Sequence, residues 1–333
     1  MTLQHVMVTG GAGYVGAGLV RDLLEEGSRV TCVDNLRWGG EPLLGLIHHP
    51  RFALRKLDIR DHAAVRELIE RDPPDAVVHL AAIVGDPACK KEPELATAIN
   101  WEASKNLADV SAGAGVKRFV FASTCSNYGK MADSGSFVTE DSPLAPVSLY
   151  AELKVRFEQY LIEGMPPGSQ MIPTALRFAT VYGISPRMRF DLTVNEFTKD
   201  VTLGRELEIF GEQFWRPYCH VADFSRAFLA VLKADPVKVN REVFNVGSTS
   251  ENYTKKMLSD ELLKVIPSAR IRFVRKDEDP RDYRVSFDKI KNVLGFDVSR
   301  TVPEGIAEVH RAVRDGMIRN PEDPIYYNTP YAG

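Results

Sequence analysis

Along the first two-thirds of the chain, short apolar runs alternate with amphipathic ones, and a turn rich in small or polar residues follows each apolar run. His5-Val6-Met7-Val8-Thr9 has strand length and runs into Gly10. Residues 17–26 then show helical spacing up to Gly27, a residue suited to a helix C-terminus. Arg29-Val30-Thr31-Cys32-Val33 is a second apolar run, ended by Asp34. Strand-like runs follow at 52–57, 76–80 and 118–122, leading into Asp58-Ile59, Ala81-Ala82 and Ser123-Thr124, with amphipathic stretches around 63–70 and 95–111. This rhythm predicts a parallel sheet with helices on both faces. Ligands of such sheets bind beyond the carboxyl ends of the strands, so Asp58, Ala81 and Thr124 are expected along one crevice.

The first strand-to-helix turn is Gly10-Gly11-Ala12-Gly13-Tyr14-Val15-Gly16. Glycines there allow a tight turn and close backbone approach to a pyrophosphate, and the helix N-terminus offers free N–H groups. The sheet is therefore expected to be of the Rossmann type, doubly wound, with a dinucleotide on this loop. Asp34, at the end of the second strand, is placed to accept hydrogen bonds from the adenosine ribose, with Asn35 beside it. A ribose 2′-phosphate would be repelled there, which favours NAD over NADP; Arg37 nearby softens that preference.

Far downstream, Tyr150-Ala151-Glu152-Leu153-Lys154 sets a phenol and an ammonium four residues apart, on one face of a helix expected over 148–161. Tyrosine's ordinary pKa near 10 is too high for a base at neutral pH. The Lys154 charge and a cationic nicotinamide are expected to lower it. Phe121-Ala122-Ser123-Thr124-Cys125-Ser126-Asn127-Tyr128-Gly129 begins as a buried strand and ends in hydroxyl groups. Thr124 there can share a substrate oxygen with Tyr150, giving an acid–base, an orienting hydroxyl and an electrostatic partner.

With these residues in this order, the chain resembles the extended short-chain dehydrogenases/reductases, in the branch of nucleotide-sugar epimerases and dehydratases. The resemblance runs through TGGAGYVG from Thr9, VDNL from Val33, LDIRD from Leu57, HLAA from His79, ASTCSNYG from Ala122, YAELK from Tyr150, LRFATVYG from Leu176 and RPYCHVADFSRA from Arg216. It implies that Tyr150 is the base, Lys154 its partner and a ribose contact, and Thr124 the substrate-facing hydroxyl. It implies NAD, tightly bound and recycled, against Gly10, Gly13, Tyr14, Val15, Gly16, Asp34 and Asn35. Asp58 and Ile59 would hold the adenine, and Leu80, Ala81, Ala82 and Asn100 would border the crevice. A homodimer through helices near 95–111 and 148–161 is also implied.

After Leu176 the strict alternation lapses. Residues 1–177 with 219–247 are expected to form the NAD-binding unit, with Val221–Lys233 a helix and Glu242–Val246 a strand. Residues 178–218 with 248–333 are expected to form a smaller C-terminal α/β lobe for a nucleotide-diphosphate sugar. Its phosphates need cationic or N–H donors, for which Arg187, Arg216 and Arg281 are candidates. By resemblance, Arg216 and Asn195 lie at the phosphates and Asp282 matches an acid of a C-terminal substrate motif, although Asp279-Pro280-Arg281-Asp282 departs from the usual pattern.

The departures bear on the reaction. Dehydratases of this branch carry carboxyl groups directly after the active Thr, whereas this chain has Cys125 and Ser126 there. Epimerisation at C4 through a transient keto sugar needs no such pair and is favoured. A 4,6-dehydratase and a keto-sugar reductase stay open as alternatives, as does, more distantly, a protein that senses NAD(H) without turnover. Ala179 stands where galactose-type epimerases often carry Asn, and the 85–91 loop, expected to border the sugar, is unlike theirs. Cys125 is a second candidate for proton transfer if its thiol pKa falls.

The bulk properties narrow the partners. At 333 residues and 44% hydrophobic content the chain can bury a large core, and its formal charge of −3 argues against nucleic acid. Cys32, Cys89, Cys125 and Cys219 are far apart with no metal-type spacing, which suits a reducing cytoplasm. No metal site is expected; His79 and His220 read as strand-associated structural residues. A strand starting this near Met1 leaves no room for a signal peptide, and no apolar run is long enough for a membrane span. For the Pro- and Tyr-rich 321–328 run, surface packing and fraying are equally compatible with the sequence.

Overall fold

A computed structural model describes residues 4–131, 136–166, 168–279 and 281–328. Its strands are β1 His5–Thr9, β2 Arg29–Asp34, β3 Phe52–Lys56, β4 Ala76–His79, β5 Arg118–Thr124, β6 Ile172–Phe178, β7 Thr180–Tyr182, β8 Glu206–Phe210, β9 Trp215–His220, β10 Glu242–Val246, β11 Asn252–Thr254 and β12 Arg270–Val274.

Seven strands form one sheet in the order β10-β6-β5-β4-β1-β2-β3, and every pairing in it is parallel. Thr9 is in register with both Val33 and His79, so the ends of β1, β2 and β4 lie side by side. The strand order reverses direction at β1 and β4, and ligands of such sheets bind at that switch point. This is the expected doubly wound α/β architecture.

Strand alternation divides the core between the faces. Val6, Val8, Val30 and Val120 pack on one face with Leu19, Leu23 and Phe228 of two helices. Met7, Val33, Val77, Phe119 and Phe121 pack on the other with Ile69, Leu107 and Phe157. Both faces are covered, hence the near-continuous apolar runs in the sequence. The Val221–Lys233 helix and the Glu242–Val246 strand form as expected.

Two predicted helices are interrupted. The 95–111 stretch is α-helical over Pro93–Thr97 and Ser104–Gly113, with a π-helical turn over Ala98–Ala103 between them. The helix carrying Tyr150 spans Leu149–Gln159, capped by Ser148, and passes into a π-helical turn over Tyr160–Gly164. Such turns commonly lie at functional sites. The first one here holds Asn100.

Beyond the main sheet, β9 pairs with β7 in parallel and β11 antiparallel, and β12 pairs with β8 in parallel. Tyr182, Val194, Leu207, Ile209, Leu258 and Ile306 form a separate core under these strands. Val285, Phe287, Ile290 and Phe296, late in the chain, pack with the main sheet instead. The 321–328 run folds back on the protein: Pro324–Tyr326 forms a short turn and Tyr327 is buried. All four cysteines are buried and free. No helix among the described residues is long and apolar enough to cross a membrane.

Candidate active site

One cavity of about 590 Å³ reaches from the glycine loop, past Tyr150 and Lys154, to Arg216 and Arg281. It lies along the carboxyl edge of the sheet. At one end Gly10, Gly13, Tyr14, Val15 and Gly16 line it with Asp34, and Asn35, Asp58, Ile59, Leu80, Ala81 and Ala82 continue the wall.

The glycine loop fits a dinucleotide because nothing larger could form it. Gly10 has φ +74° and donates from its N–H to the Val33 carbonyl at 2.8 Å. A Cβ there would lie 2.7 Å from the Ala81 nitrogen, and one on Gly16 would lie 2.2 Å from the Gly10 carbonyl oxygen. The loop is thus packed backbone to backbone, with a helix N-terminus behind it. Asp34 accepts from the N–H groups of Ala12 at 3.0 Å and Leu36 at 2.8 Å, which fixes its carboxylate at the cavity wall. Asp58 lines the same end, held by Arg60, whose hydrogen bonds lower its pKa to about 2.

Arg187, expected at the sugar nucleotide, lies at this Asp34 end instead. Its charge acts on Asp34, and its guanidinium sits 5.0 Å from the centroid of the Trp38 ring. It is 5% exposed, and Nε and Nη2 have no hydrogen-bond partner among the described residues. A buried guanidinium with unused N–H groups on a cavity wall is a fitting donor for a dinucleotide's phosphates or ribose.

In the middle of the cavity, Thr124 ends β5 beside Tyr150, where its hydroxyl acts to lower the phenol's pKa, and its Oγ1 accepts from the Ser126 N–H at 3.1 Å. Lys154, one helical turn after Tyr150, donates from Nζ to the Ala122 carbonyl at 2.8 Å and lies 5.9 Å from the Tyr150 ring centroid. The three residues expected to act together are together. Their electrostatics differ from expectation. Burial pushes the Tyr150 phenol up, Cys89 and Asp86 push it further, and Arg189 and the Thr124 hydroxyl oppose them. Burial also lowers Lys154, to about 8. Without ligand charge the phenol is neutral, and Arg189 is the cation opposing its rise.

At the far end, Arg216 pairs with Asp279 at 2.9 Å, and Arg281 pairs with Asp86 at 2.9 Å. Lys255 also lines this end, its pKa lowered first by burial. Three cations, two held by carboxylates and Lys255 donating to the Phe210 carbonyl at 2.7 Å, form a site suited to a diphosphate. Ser126 is on the wall with Tyr283, whose phenol pKa it acts to lower.

Four candidate residues are not on the wall. The Cys125 thiol donates to the Arg177 carbonyl at 3.2 Å and is buried in the core, which raises its pKa well above the thiol range; it cannot serve as the proton shuttle. Asn195 accepts from the Gly183 N–H at 2.8 Å and donates to the Arg189 carbonyl at 2.9 Å, so its amide is spent on the backbone. Asn100 pairs with both polar groups of the Ile83 backbone, at 2.8 and 2.9 Å, and shapes the wall without touching the cavity. Asp282 accepts from the Trp215 N–H at 2.9 Å; its neighbour Pro280 lies outside the described residues. Both histidines are structural: His79 bridges Thr9 and Ser104 at 2.7 and 2.8 Å, and His220 meets Glu308 at 2.6 Å.

Sequence reasoning missed Asp86, Arg189, Lys255 and Asp279. Two of them had a signal: Asp86 is part of the loop expected to border the sugar, and Asp279 opens the Asp279-Pro280-Arg281-Asp282 segment. Among the described residues no group of three or more His, Cys, Asp or Glu side chains is arranged to hold a metal ion.

Comparison with known proteins agrees with this geometry. The UDP-glucose 4-epimerase of Lactobacillus helveticus is 28% identical over 311 residues, covering 88% of this chain and 92% of its own. The crystal structure of UDP-glucose 4-epimerase from Thermotoga maritima with UDP-glucose superposes with a TM-score of 0.82 at 28% identity, covering 94% of this chain and 100% of that one. DesIV, a dTDP-glucose 4,6-dehydratase from Streptomyces venezuelae solved with NAD, gives a TM-score of 0.83 at 25% identity, covering 97% and 100%. With residues 6–247 matching its family-wide pattern, the chain belongs to the NAD dependent epimerase/dehydratase family, enzymes whose cofactor is NAD.

Proposed function

We propose that this enzyme inverts C4 of a nucleotide-diphosphate sugar through a transient 4-keto sugar. The observation that carries the reading is the single continuous cavity: it joins the glycine loop, the Tyr150–Thr124–Lys154 group and the Arg216–Lys255–Arg281 cations. A dinucleotide and a diphosphate sugar laid end to end would meet at Tyr150.

NAD supplies the acceptor and donor of hydride when bound. Tyr150 takes the proton that leaves the 4-hydroxyl and later returns it, with Thr124 fixing the same oxygen. Lys154 and Arg189 bring positive charge to the phenolate side. The diphosphate anchors the substrate at Arg216, Lys255 and Arg281, so the sugar can turn about that anchor while the nucleotide stays in place. Ser126 and Ala179 leave space for the turn, and neither supplies a carboxylate for dehydration.

One observation favours a second reading, 4,6-dehydration. Asp86 brings a carboxylate from the 85–91 loop to the cavity wall, where its charge acts on Tyr150. Its oxygens accept from Ser148 at 2.7 Å and Arg281 at 2.9 Å, so it is engaged as an acceptor on both sides, which favours a positioning role over elimination chemistry.

The division of labour belongs to the same proposal: residues 1–177 with 219–247 supply most of the NAD site and 178–218 with 248–333 most of the sugar-nucleotide site, with Arg187 of the second unit reaching the Asp34 end. A homodimer is proposed across the 95–111 and 148–161 helices, where Arg156 lies 3.9 Å over the Trp101 ring. A cytoplasmic location, with a role in carbohydrate metabolism, accords with four free, buried thiols.

A sugar nucleotide carrying deuterium at C4 tests the reaction. Epimerisation keeps the label at C4 in both epimers. Dehydration moves it to C6, and a reductase leaves the substrate unchanged until a keto sugar and NADH are supplied.

A further inference from the structure

The end of the described chain takes part in the cofactor site. Tyr327 is buried, with Lys199 Nζ donating to its hydroxyl at 2.9 Å, and the Tyr326 carbonyl accepts from the Phe190 N–H at 2.9 Å. These contacts lay Asn328 on the cavity wall. There its side-chain oxygen and its backbone N–H each hold a partner. Arg187 Nη1 donates to its Oδ1 at 2.7 Å, and its own N–H donates to Asp191 Oδ2 at 3.0 Å.

Each partner leads to an arginine facing the cavity. Arg187 lines the cavity where its charge acts on Asp34, and its Nε and Nη2 are buried without a partner among the described residues. Asp191 grips Arg189 with both oxygens, at 2.9 Å each, and Arg189 acts on Tyr150. One asparagine thus ties together the cations at the two ends of the dinucleotide's track. A guanidinium free at Nη1 would turn about its side-chain bonds. Held at Nη1 and lying beside Trp38, it presents Nε and Nη2 in one fixed direction.

We propose that Asn328 is a positioning residue of the NAD site, orienting Arg187 so that its Nε and Nη2 bind the ribose–phosphate backbone of the cofactor opposite the glycine loop. NAD would then be held by segments from opposite ends of the chain, as suits an enzyme that recycles its cofactor without releasing it. The inference rests on NAD occupying this cavity and not on which sugar is converted.

Calorimetric titration with NAD, and separately with UDP, tests it on the full chain stripped of cofactor. Asn328→Ala should weaken NAD binding by about tenfold, the scale of one lost charge-assisted hydrogen bond, and leave UDP binding at the Arg216 end unchanged. Asn328→Asp, which keeps the acceptor for Arg187, should recover most of the loss. Arg187→Met should bind NAD at least as weakly as Asn328→Ala, and it decides the question if the Asn328 variants fail to fold. NAD affinity within twofold of wild type in both Asn328→Ala and Arg187→Met overturns the proposal, as does a loss of UDP affinity in place of NAD affinity. Neither titration requires turnover, so failure here is separable from failure of the epimerase reading.

Discussion

Lys154 Nζ donates a 2.8 Å hydrogen bond to the Ala122 carbonyl, two residues before Thr124 on the same strand. The bond ties the Leu149–Gln159 helix to β5, so the ammonium, the phenol and the threonine hydroxyl are set by one junction between helix and strand. Its cost is a cation in the core. Lys154 is 4% exposed, and burial moves its pKa from 10.5 to about 8.

That shift predicts a stability signature. Between about 8 and 10.5 the unfolded chain holds a proton on this lysine that the folded chain has released, so this group's contribution to stability rises with pH across that window. At pH 7 both states are charged and the folded state bears the full penalty. Lys154→Met should therefore unfold at higher denaturant concentration at pH 7, a gain of about 1–3 kcal/mol. The gain should shrink toward pH 10.5, and turnover should be lost. Urea melts at both pH values check the sign; no gain at pH 7 contradicts it.

Cys125 occupies a slot next to the active threonine yet faces away from the cavity, its thiol on the Arg177 carbonyl. Cys125→Ser should keep kcat within about threefold of wild type and cost about 1 kcal/mol in stability. A fall in kcat on the scale of removing a general acid–base, about a hundredfold or more, would restore the thiol to the chemistry.

Behind β5 lies a buried ion pair. Glu158 is bound by Arg177 Nη2 at 2.6 Å and by the Ser123 hydroxyl at 2.5 Å, and the two charged side chains are 3% and 6% exposed. Glu158→Gln leaves the Arg177 charge without its partner and should cost about 3–5 kcal/mol. Replacing both, as Glu158→Gln with Arg177→Met, should cost less than the single change. Equal or additive losses in a double-mutant cycle would count against coupling between them.

In the glycine loop, a Cβ on Gly16 would meet the Gly10 carbonyl oxygen at 2.2 Å and the Gly11 Cα at 2.6 Å. Both are backbone atoms and cannot swing aside. Gly16→Ala should open the loop and weaken NAD binding by roughly tenfold or more, the scale of one or two lost N–H contacts. The amount of NAD released on acid denaturation of the purified protein reads this directly.

Local pattern made much of this protein legible. The parallel sheet, the glycine loop, Asp34 and the Tyr150–Lys154 spacing depend on residues close in sequence, and each appeared where expected. The residues whose surroundings the sequence did not show have a common cause. Asn100 and Asn195 carry amides that suit ligands, but an amide also substitutes for a missing backbone partner, and only the fold shows that Ile83 and Gly183 claim them. Asp86 and Arg281 meet across 195 residues of chain, and Arg187 reaches Asp34 because a long loop returns over the sheet edge. Such encounters leave no periodicity or spacing to read. The same holds for Asn328, which sits in a tail whose composition alone left its packing undecided.

Proton NMR of the products formed by the as-purified protein, given UDP-glucose and related nucleotide sugars with no added cofactor, tests the central claim most directly. The expected result is a sugar inverted at C4 and an equilibrium mixture of the two epimers. A 4-keto-6-deoxy sugar would contradict it and make Asp86 the first residue to replace.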